Sequence, residues 1–296
     1  MQKNSKVFAR LPAAGLGNKM LVWARAFVFS RQYGMELFVS AWWGINAGAW
    51  LRLEKKKRVY LGTFKEDSLR KRSSLFLFRL RARSVTEPAF DSIQEERAGS
   101  IPDQKTLYIF EKLFTDADYF KELRPWREEI REEIHRMLFP ALRTELDSLE
   151  SPVIGIHVRR GDFKRGSTLT PEEFFVRAIE ALRETAGKEL PVTVFTDAEP
   201  GELTRLFSLP SVKVATPKAD LLDILLLSRS RICILSISSS FSLWAGFLSE
   251  GIVLQHPDEW HPVLRPSSVN EKHYEGRFDP SGNMDLRLRE QLTRNF

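Results

Sequence analysis

A single cysteine, Cys233, occurs in the 296 residues, so no disulfide framework can be drawn, a pattern that suits a reducing compartment. Its neighbours, Ser-Arg-Ile-Cys-Ile-Leu, are those of a buried strand, and a core thiol is expected there rather than a nucleophile. Long apolar runs are missing too. The most apolar stretch, Leu221 to Leu248, is interrupted by Asp223, Arg229 and Arg231, so no span of about 20 apolar residues is expected to cross a membrane. The start, Met-Gln-Lys-Asn-Ser-Lys-Val-Phe, lacks the apolar core of a signal peptide. The five histidines, His135, His157, His256, His261 and His273, show no metal-ligand spacing. His256 and His261, flanking Pro257 and Trp260, read as structural. No internal repeat or low-complexity tract is present.

What is there excludes disorder. Hydrophobic residues make up 43% and charged residues 28%, near the globular average, and the length suits one large domain or two ordinary ones. The net charge of +6 is uneven. Through residue 148 there are 27 Lys+Arg against 19 Asp+Glu, and beyond it 18 against 20. The whole positive surplus therefore belongs to the first half.

Periodicity gives an alternation of strands and helices. A strand at 6–11, a glycine turn at 12–17, a helix from Asn18 to Gly34 and a strand at 35–40 make a β–α–β opening. A strand near 106–111 and a helix over 118–138 follow. Pro140 and Pro152 bracket a charged, helical connection, taken as the domain boundary. Beyond it come a strand at 152–158, a helix at 171–186, a strand at 192–196, a helix at 221–228, a strand at 232–235 and a helix at 241–248. Continuous Val/Ile strands separated by helices predict buried parallel sheets. The expected architecture is α/β, with domains 1–148 and 149–296 and a cleft between them where such sheets bind ligands.

The segment with most chemistry is Val-Ile-Gly-Ile-His157-Val-Arg159-Arg160-Gly161-Asp162, followed by Lys164 and Arg165. Two arginines at the carboxyl end of a parallel strand can grip phosphate oxygens with paired hydrogen bonds. The plain alternative pairs one arginine with Asp162 and leaves the other solvated. Further on, Ser238-Ser239-Ser240 opens a helix, which suits an anion or simply an N-cap supplied by Ser239 or Ser240. Asp223 is either a solvated helix carboxylate or an acceptor for adjacent N–H donors of a purine.

In their order these segments resemble the α-1,2-fucosyltransferase family and, more remotely, the α-1,6- and protein O-fucosyltransferases. Gly15-Leu-Gly17-Asn18-Lys-Met is similar to the family's Gly-Leu-Gly-Asn-Gln-Met. Ile109 through Phe120 resembles its mid-chain segment, and Phe195-Thr-Asp197 its Phe-Ser-Asp-Asp strand end. His157-Val-Arg159-Arg160-Gly161-Asp162 matches the His-X-Arg-Arg-Gly-Asp motif throughout, and Asp223 through Trp244 follows the last motif. The resemblance implies a GT-B-like fold of two Rossmann-like domains, a GDP-fucose donor and inverting transfer to a glycan hydroxyl without a metal or other cofactor. It implies that Arg159 holds the diphosphate and stabilises departing GDP, with Arg160 in support. His157 and Asp223 would read guanine, and Ser239, Ser240 and Phe241 would close on the phosphates and nucleoside. Asn18 would reach the diphosphate or sugar. Lys19, Ser238, Leu243 and Ala198 depart from the family's Gln, Asn, first Trp and second Asp, which widens the donor to a close GDP-deoxyhexose or other GDP-sugar. The general base is Asp162 by first choice, Asp116 or Glu111 by second.

Other readings are set beside this one. Asp116-Ala-Asp118 has the Asp-X-Asp form of a metal site, but acids are also favoured at a helix start. Gly15-Leu-Gly17 lacks the third glycine of a dinucleotide fingerprint. Arg52 to Arg58 and Lys65 to Arg83 are basic, with aromatics nearby. That pattern is a solvated face, a nucleic-acid patch, or an interfacial contact for an anionic membrane or a lipid-linked acceptor. With the fucosyltransferase resemblance, no nucleic acid is expected. The resulting picture is a cytoplasmic enzyme, peripheral on the inner membrane face, in surface polysaccharide synthesis.

Overall fold

The computed structural model describes residues 5–43, 60–65, 69–90, 105–113, 117–161, 169–199, 201–216 and 218–296. Two compact units, Met1–Pro140 and Ala141–Phe296, divide the chain.

In the first unit, β1 (Lys6–Ala9) leads through the glycine turn into α1 (Leu16–Tyr33) and β2 (Glu36–Val39). Helix α1 is buried from Leu16 nearly all round to Ser30, except Asn18. It stops at Gly34, whose left-handed φ of 65° turns the chain into β2, a conformation glycine adopts without steric cost. Then come α2 (Leu69–Arg79), β3 (Arg83–Thr86), β4 (Thr106–Phe110) and α3 (Arg127–Met137). The four strands run in the order β2-β1-β4-β3, all parallel, over a core that includes Val7, Val22, Phe29 and Phe110.

The helix expected from residue 118 begins only at Arg127, after a 3-10 turn over Arg124–Trp126. Pro125 brings no amide hydrogen to a helical ladder. Asp118 holds the turn before it: its Oδ1 accepts from Phe120 N at 3.2 Å and from Arg124 at 2.8 Å.

The second unit is built on α4 (Pro140–Ser148), β5 (Ile154–Val158), α5 (Glu172–Ala186), β6 (Val192–Thr196), α6 (Thr204–Ser208), β7 (Val212–Val214), α7 (Asp220–Ser228), β8 (Ile232–Ile234), α8 (Ser240–Leu248), β9 (Ile252–Gln255), α9 (Ser267–Asn270), β10 (Glu275–Arg277) and α10 (Leu286–Asn295). The break between units thus falls eight residues before the boundary expected at 148/149. Contacts explain the shift. Arg229 donates to Leu146 O at 2.8 Å and Lys218 pairs with Glu145 at 2.7 Å, so α4 is fastened to the second unit.

Six parallel strands run β10-β9-β8-β5-β6-β7. Every residue of β5 and β8 is buried, which is why both read as unbroken apolar runs. Gly155 lets α7 close on the sheet: a Cβ there would lie 2.1 Å from Ser230 Oγ and 2.9 Å from Leu227 Cδ1. Cys233 is wholly buried on β8, and burial pushes its thiol up to about 12, so it packs rather than reacts.

Everything after Leu248 lay outside the predicted elements. There, Arg265 is fully buried and donates to Ser249 O, Gly251 O, His273 O, Tyr274 O, Asn270 Oδ1 and Glu275 Oε2. One guanidinium stitches three segments of the C-terminal edge.

From β5 the chain runs outward to β6 and β7 on one side, and β8 leads to β9 and β10 on the other. At such a switch the loops leaving the two strands diverge, and a hollow opens at their carboxyl ends. Here that place is bounded by residues 158–161 and 235–240.

Candidate active site

The ladder between β5 and β8 ends at the Ile156–Ile234 pair. Past it, the Ser236 hydroxyl takes over. It donates to His157 O at 2.7 Å and accepts from Arg159 N at 3.0 Å, tying the diverging strand ends together. Ser242, one turn into α8, adds a second tie. Its Oγ lies 2.6 Å from His157 Nδ1 and accepts from Ser236 N at 3.1 Å. His157 is 4% exposed and stacks on Phe241, with ring centroids 4.5 Å apart and planes 20° from parallel.

Arg159 sits about a quarter exposed against Asp197, with Nη1 2.5 Å from Oδ2. The other oxygen of Asp197 accepts from Arg160 N at 2.7 Å. Strand register explains the meeting: His157 pairs with Phe195 and Val158 with Thr196, so the residue after each strand faces the other. Gly161 makes room. Its φ is 22°, and a Cβ there would stand 2.3 Å from Asp197 Oδ2.

Arg160 is no solvated partner. It is buried, and its Nη1 donates to Arg159 O at 3.0 Å and Thr170 O at 2.9 Å. Burial lowers its pKa, opposed by Glu202, Glu172 and Asp197. Thr170 Oγ1 in turn accepts from Ile237 N at 2.9 Å. Arg160 and Thr170 therefore tie the end of β5 to the serine turn.

In that turn Ser238 adopts a left-handed φ of 52°. Its N–H donates to Glu259 at 2.7 Å, and its hydroxyl accepts from Trp260 Nε1 at 3.2 Å. Ser239 is the N-cap of α8 and accepts from Ser242 N at 3.4 Å, so the plain capping reading holds for Ser239. Capping consumes one helix-end donor. Among the described residues, the N–H groups of Ser239, Ser240 and Phe241 have no hydrogen-bond partner. With the dipole of a nine-residue helix behind them, they form a positive pole suited to an anion.

Asp223, in the first turn of α7, is 8% exposed and so is not a solvated carboxylate. Asn18 stands half-buried in the first turn of α1, in the other unit. Beside it Lys19 is buried and donates to Trp42 O at 2.9 Å. Glu111 is ion-paired with Arg10, and Asp118 with Arg124 at 2.7 Å. Asp162, Asp116, Lys164, Arg165 and the Arg52–Arg58 cluster lie outside the described residues. His256 and His261 make local contacts, to Asp258 N at 3.1 Å and Pro262 O at 2.8 Å.

Asp197, Ser236, Ser242, Thr170 and Glu259 were not singled out as site residues from sequence. Only Asp197 left a signal there, as the acid of the strand end Phe195-Thr-Asp197. The first unit also holds a cavity of about 230 Å³, lined in part by Trp23, Phe27, Trp42, Arg31 and Glu133.

A family model described as "Glycosyl transferase family 11" matches residues 84–257. None of the curated proteins compared with the chain matches it significantly. Among solved structures, fucosyltransferase NodZ from Bradyrhizobium is similar at 17% identity and a TM-score of 0.51, over 88% of this chain and 97% of that one. NodZ α-1,6-fucosyltransferase soaked with GDP-fucose gives 18% and 0.50, over 86% and 96%. POFUT1 in complex with GDP-fucose gives 10% and 0.51, over 83% and 94%. At these identities the likeness speaks for the fold, which is α/β of the GT-B kind.

Proposed function

We propose that this chain, which belongs to glycosyl transferase family 11, transfers fucose from GDP-fucose, or the sugar of a close GDP-deoxyhexose, to a hydroxyl of a glycan. The similar structures of NodZ soaked with GDP-fucose and of POFUT1 in complex with it support the donor. The observation that carries the reading is the switch-point constellation: a turn of three partnerless N–H groups and the Arg159 guanidinium at one end of a parallel sheet.

In this reading the diphosphate lies on Arg159 and the Ser239–Phe241 amides. The acceptor oxygen attacks C1 of the sugar from the face opposite the diphosphate, so configuration inverts. As the C1–O bond to GDP breaks, its electron pair passes to the β-phosphate, where fixed positive charge is already in place. No metal is needed for that neutralisation. Asp162 is the proposed base that takes the acceptor proton.

Arg160 acts at one remove, by fixing the backbone that carries Arg159. Ser242 Oγ accepts from Ser236 N–H, so its own proton suits His157 Nδ1. The imidazole proton then lies on Nε2, as a donor for guanine. Asp223 supplies a carboxylate for the N–H donors of the same base, and Asn18 is the residue of the first unit to test as a further donor contact. The second unit is assigned to the GDP-sugar and the first to the acceptor. We place the enzyme in the cytoplasm, in surface polysaccharide synthesis, with α-1,2 linkage as the specific form.

A donor screen tests this. GDP release in the presence of glycan acceptors should be fastest with GDP-fucose and weak with GDP-mannose or UDP-glucose. Preference for a UDP-sugar would overturn the reading.

A further inference from the structure

Helix α2 and its exit carry an exposed surface that the transfer reaction does not use. Leu75 and Phe78 are its partly buried positions, and the Phe78 ring lies 5.2 Å from Lys6 Nζ on β1. The opposite side holds large apolar side chains in water: Phe76 is 64% exposed, Leu77 63% and Leu80 68%. Leu80 N donates to Phe76 O at 3.3 Å, so Leu80 continues the helix and stands one turn beyond Phe76. At about 100° per residue the three fall within an arc of roughly 100°.

Basic residues flank this arc along the sequence. Arg70, Lys71 and Arg72 occupy the first turn of α2, Arg79 its last, and Arg81 and Arg83 follow, with no acidic residue between Asp67 and Glu87. Arg79, Arg81 and Arg83 are exposed. No helix among the described residues is long and apolar enough to cross a membrane.

We propose that α2 and the residues to Arg83 dock the protein on an anionic lipid bilayer, with Phe76, Leu77 and Leu80 inserted at the headgroup boundary and the arginines on lipid phosphates. Exposed apolar side chains flanked by unbroken positive charge form an interfacial helix, one that lies on a bilayer without spanning it. Nucleic acid would meet the charge but leave three large apolar groups in water. A second copy of the chain would meet like charge. The bilayer satisfies both features. The inference is independent of the donor and goes beyond the transfer reading by naming the surface on which the enzyme works.

Vesicle flotation tests it on the full chain. Vesicles of phosphatidylcholine with phosphatidylglycerol should float the protein, and vesicles of phosphatidylcholine alone should float at least about tenfold less. The F76S/L77S/L80S variant should lose at least about tenfold in partition, with an unchanged circular-dichroism melt. Replacing Arg79, Arg81 and Arg83 by Gln should cost roughly fivefold per residue. A Phe76→Trp variant keeps the test alive should the triple variant fold poorly, because brominated acyl chains should quench its emission beyond the wild-type level. Failure of the wild type to float with anionic vesicles would overturn the proposal. So would full binding by a folded triple-serine variant, or quenching of the Phe76→Trp variant no greater than that of the wild type.

Discussion

Arg159 is oriented before any ligand arrives. Its guanidinium is fixed by Asp197, its own amide by Ser236, and its carbonyl by buried Arg160. Preorganised charge of this kind acts mainly on the transition state, so Arg159→Ala should lower turnover by at least about a hundredfold. Near-wild-type rates in that variant would refute its role. Asp197 makes a subtler case. Asp197→Asn keeps an acceptor for Arg160 N but removes the charge that aims Arg159, and it also removes a negative charge beside the proposed diphosphate. Steady-state kinetics with parallel GDP binding should show turnover down roughly tenfold and GDP affinity no weaker. An equal loss in both would mean that Asp197 serves only the fold. At this scale the sequence was partly legible. His157, Arg159 and the serine turn stand out by residue type and order. Asp197 is legible only as the acid of a strand end, because the β5–β6 register alone brings it to Arg159, and Ser236 and Ser242 bridge strand ends that diverge only in the fold.

At the level of elements, the helices and strands that could be read were those whose pattern is set by burial alone. Strands β5 and β8 are buried on both faces and α7 nearly all round, which leaves a strong local signature. The edge beyond Leu248 has none. Strand β10 is three residues with a central glycine, held in place by the Arg265–Glu275 pair rather than by propensity. Truncating one member of a buried pair strands the other, so Arg265→Ala should cost about 3–5 kcal/mol in denaturant unfolding, and a cost under about 1 kcal/mol would contradict this role. The centre of the sheet offers a second test. Gly155→Ala puts a methyl group into the space of Ser230 and Leu227, and overpacking should cost about 1–3 kcal/mol. A thermal midpoint lower by several degrees is expected, and an unchanged midpoint would show that α7 can move away freely.

For the whole molecule, the composition and the topology divide the labour. The first 148 residues carry the entire positive surplus, and the remainder is slightly acidic. Yet the remainder contains the switch point with its arginines and helix terminus. In the proposed reading, recognition of a diphosphate there rests on a few placed groups within a nearly neutral unit, which leaves the bulk positive charge for another surface. The boundary between units was legible only to within a helix, because α4 declares its allegiance through Arg229 and Lys218, far along the chain. The proposed mechanism neutralises the leaving diphosphate with placed protein charge and no metal, so transfer should persist in excess chelator, and loss of activity restored by manganese would refute it.

The most direct test of the central claim, that the β5–β8 switch point binds the diphosphate of GDP through Arg159 without a metal, is calorimetric titration with GDP in excess chelator. Wild type should bind, and Arg159→Ala should bind at least about tenfold more weakly while retaining the same melting temperature. Equal GDP affinity in the two proteins, or binding by wild type only when a divalent ion is added, would contradict the account.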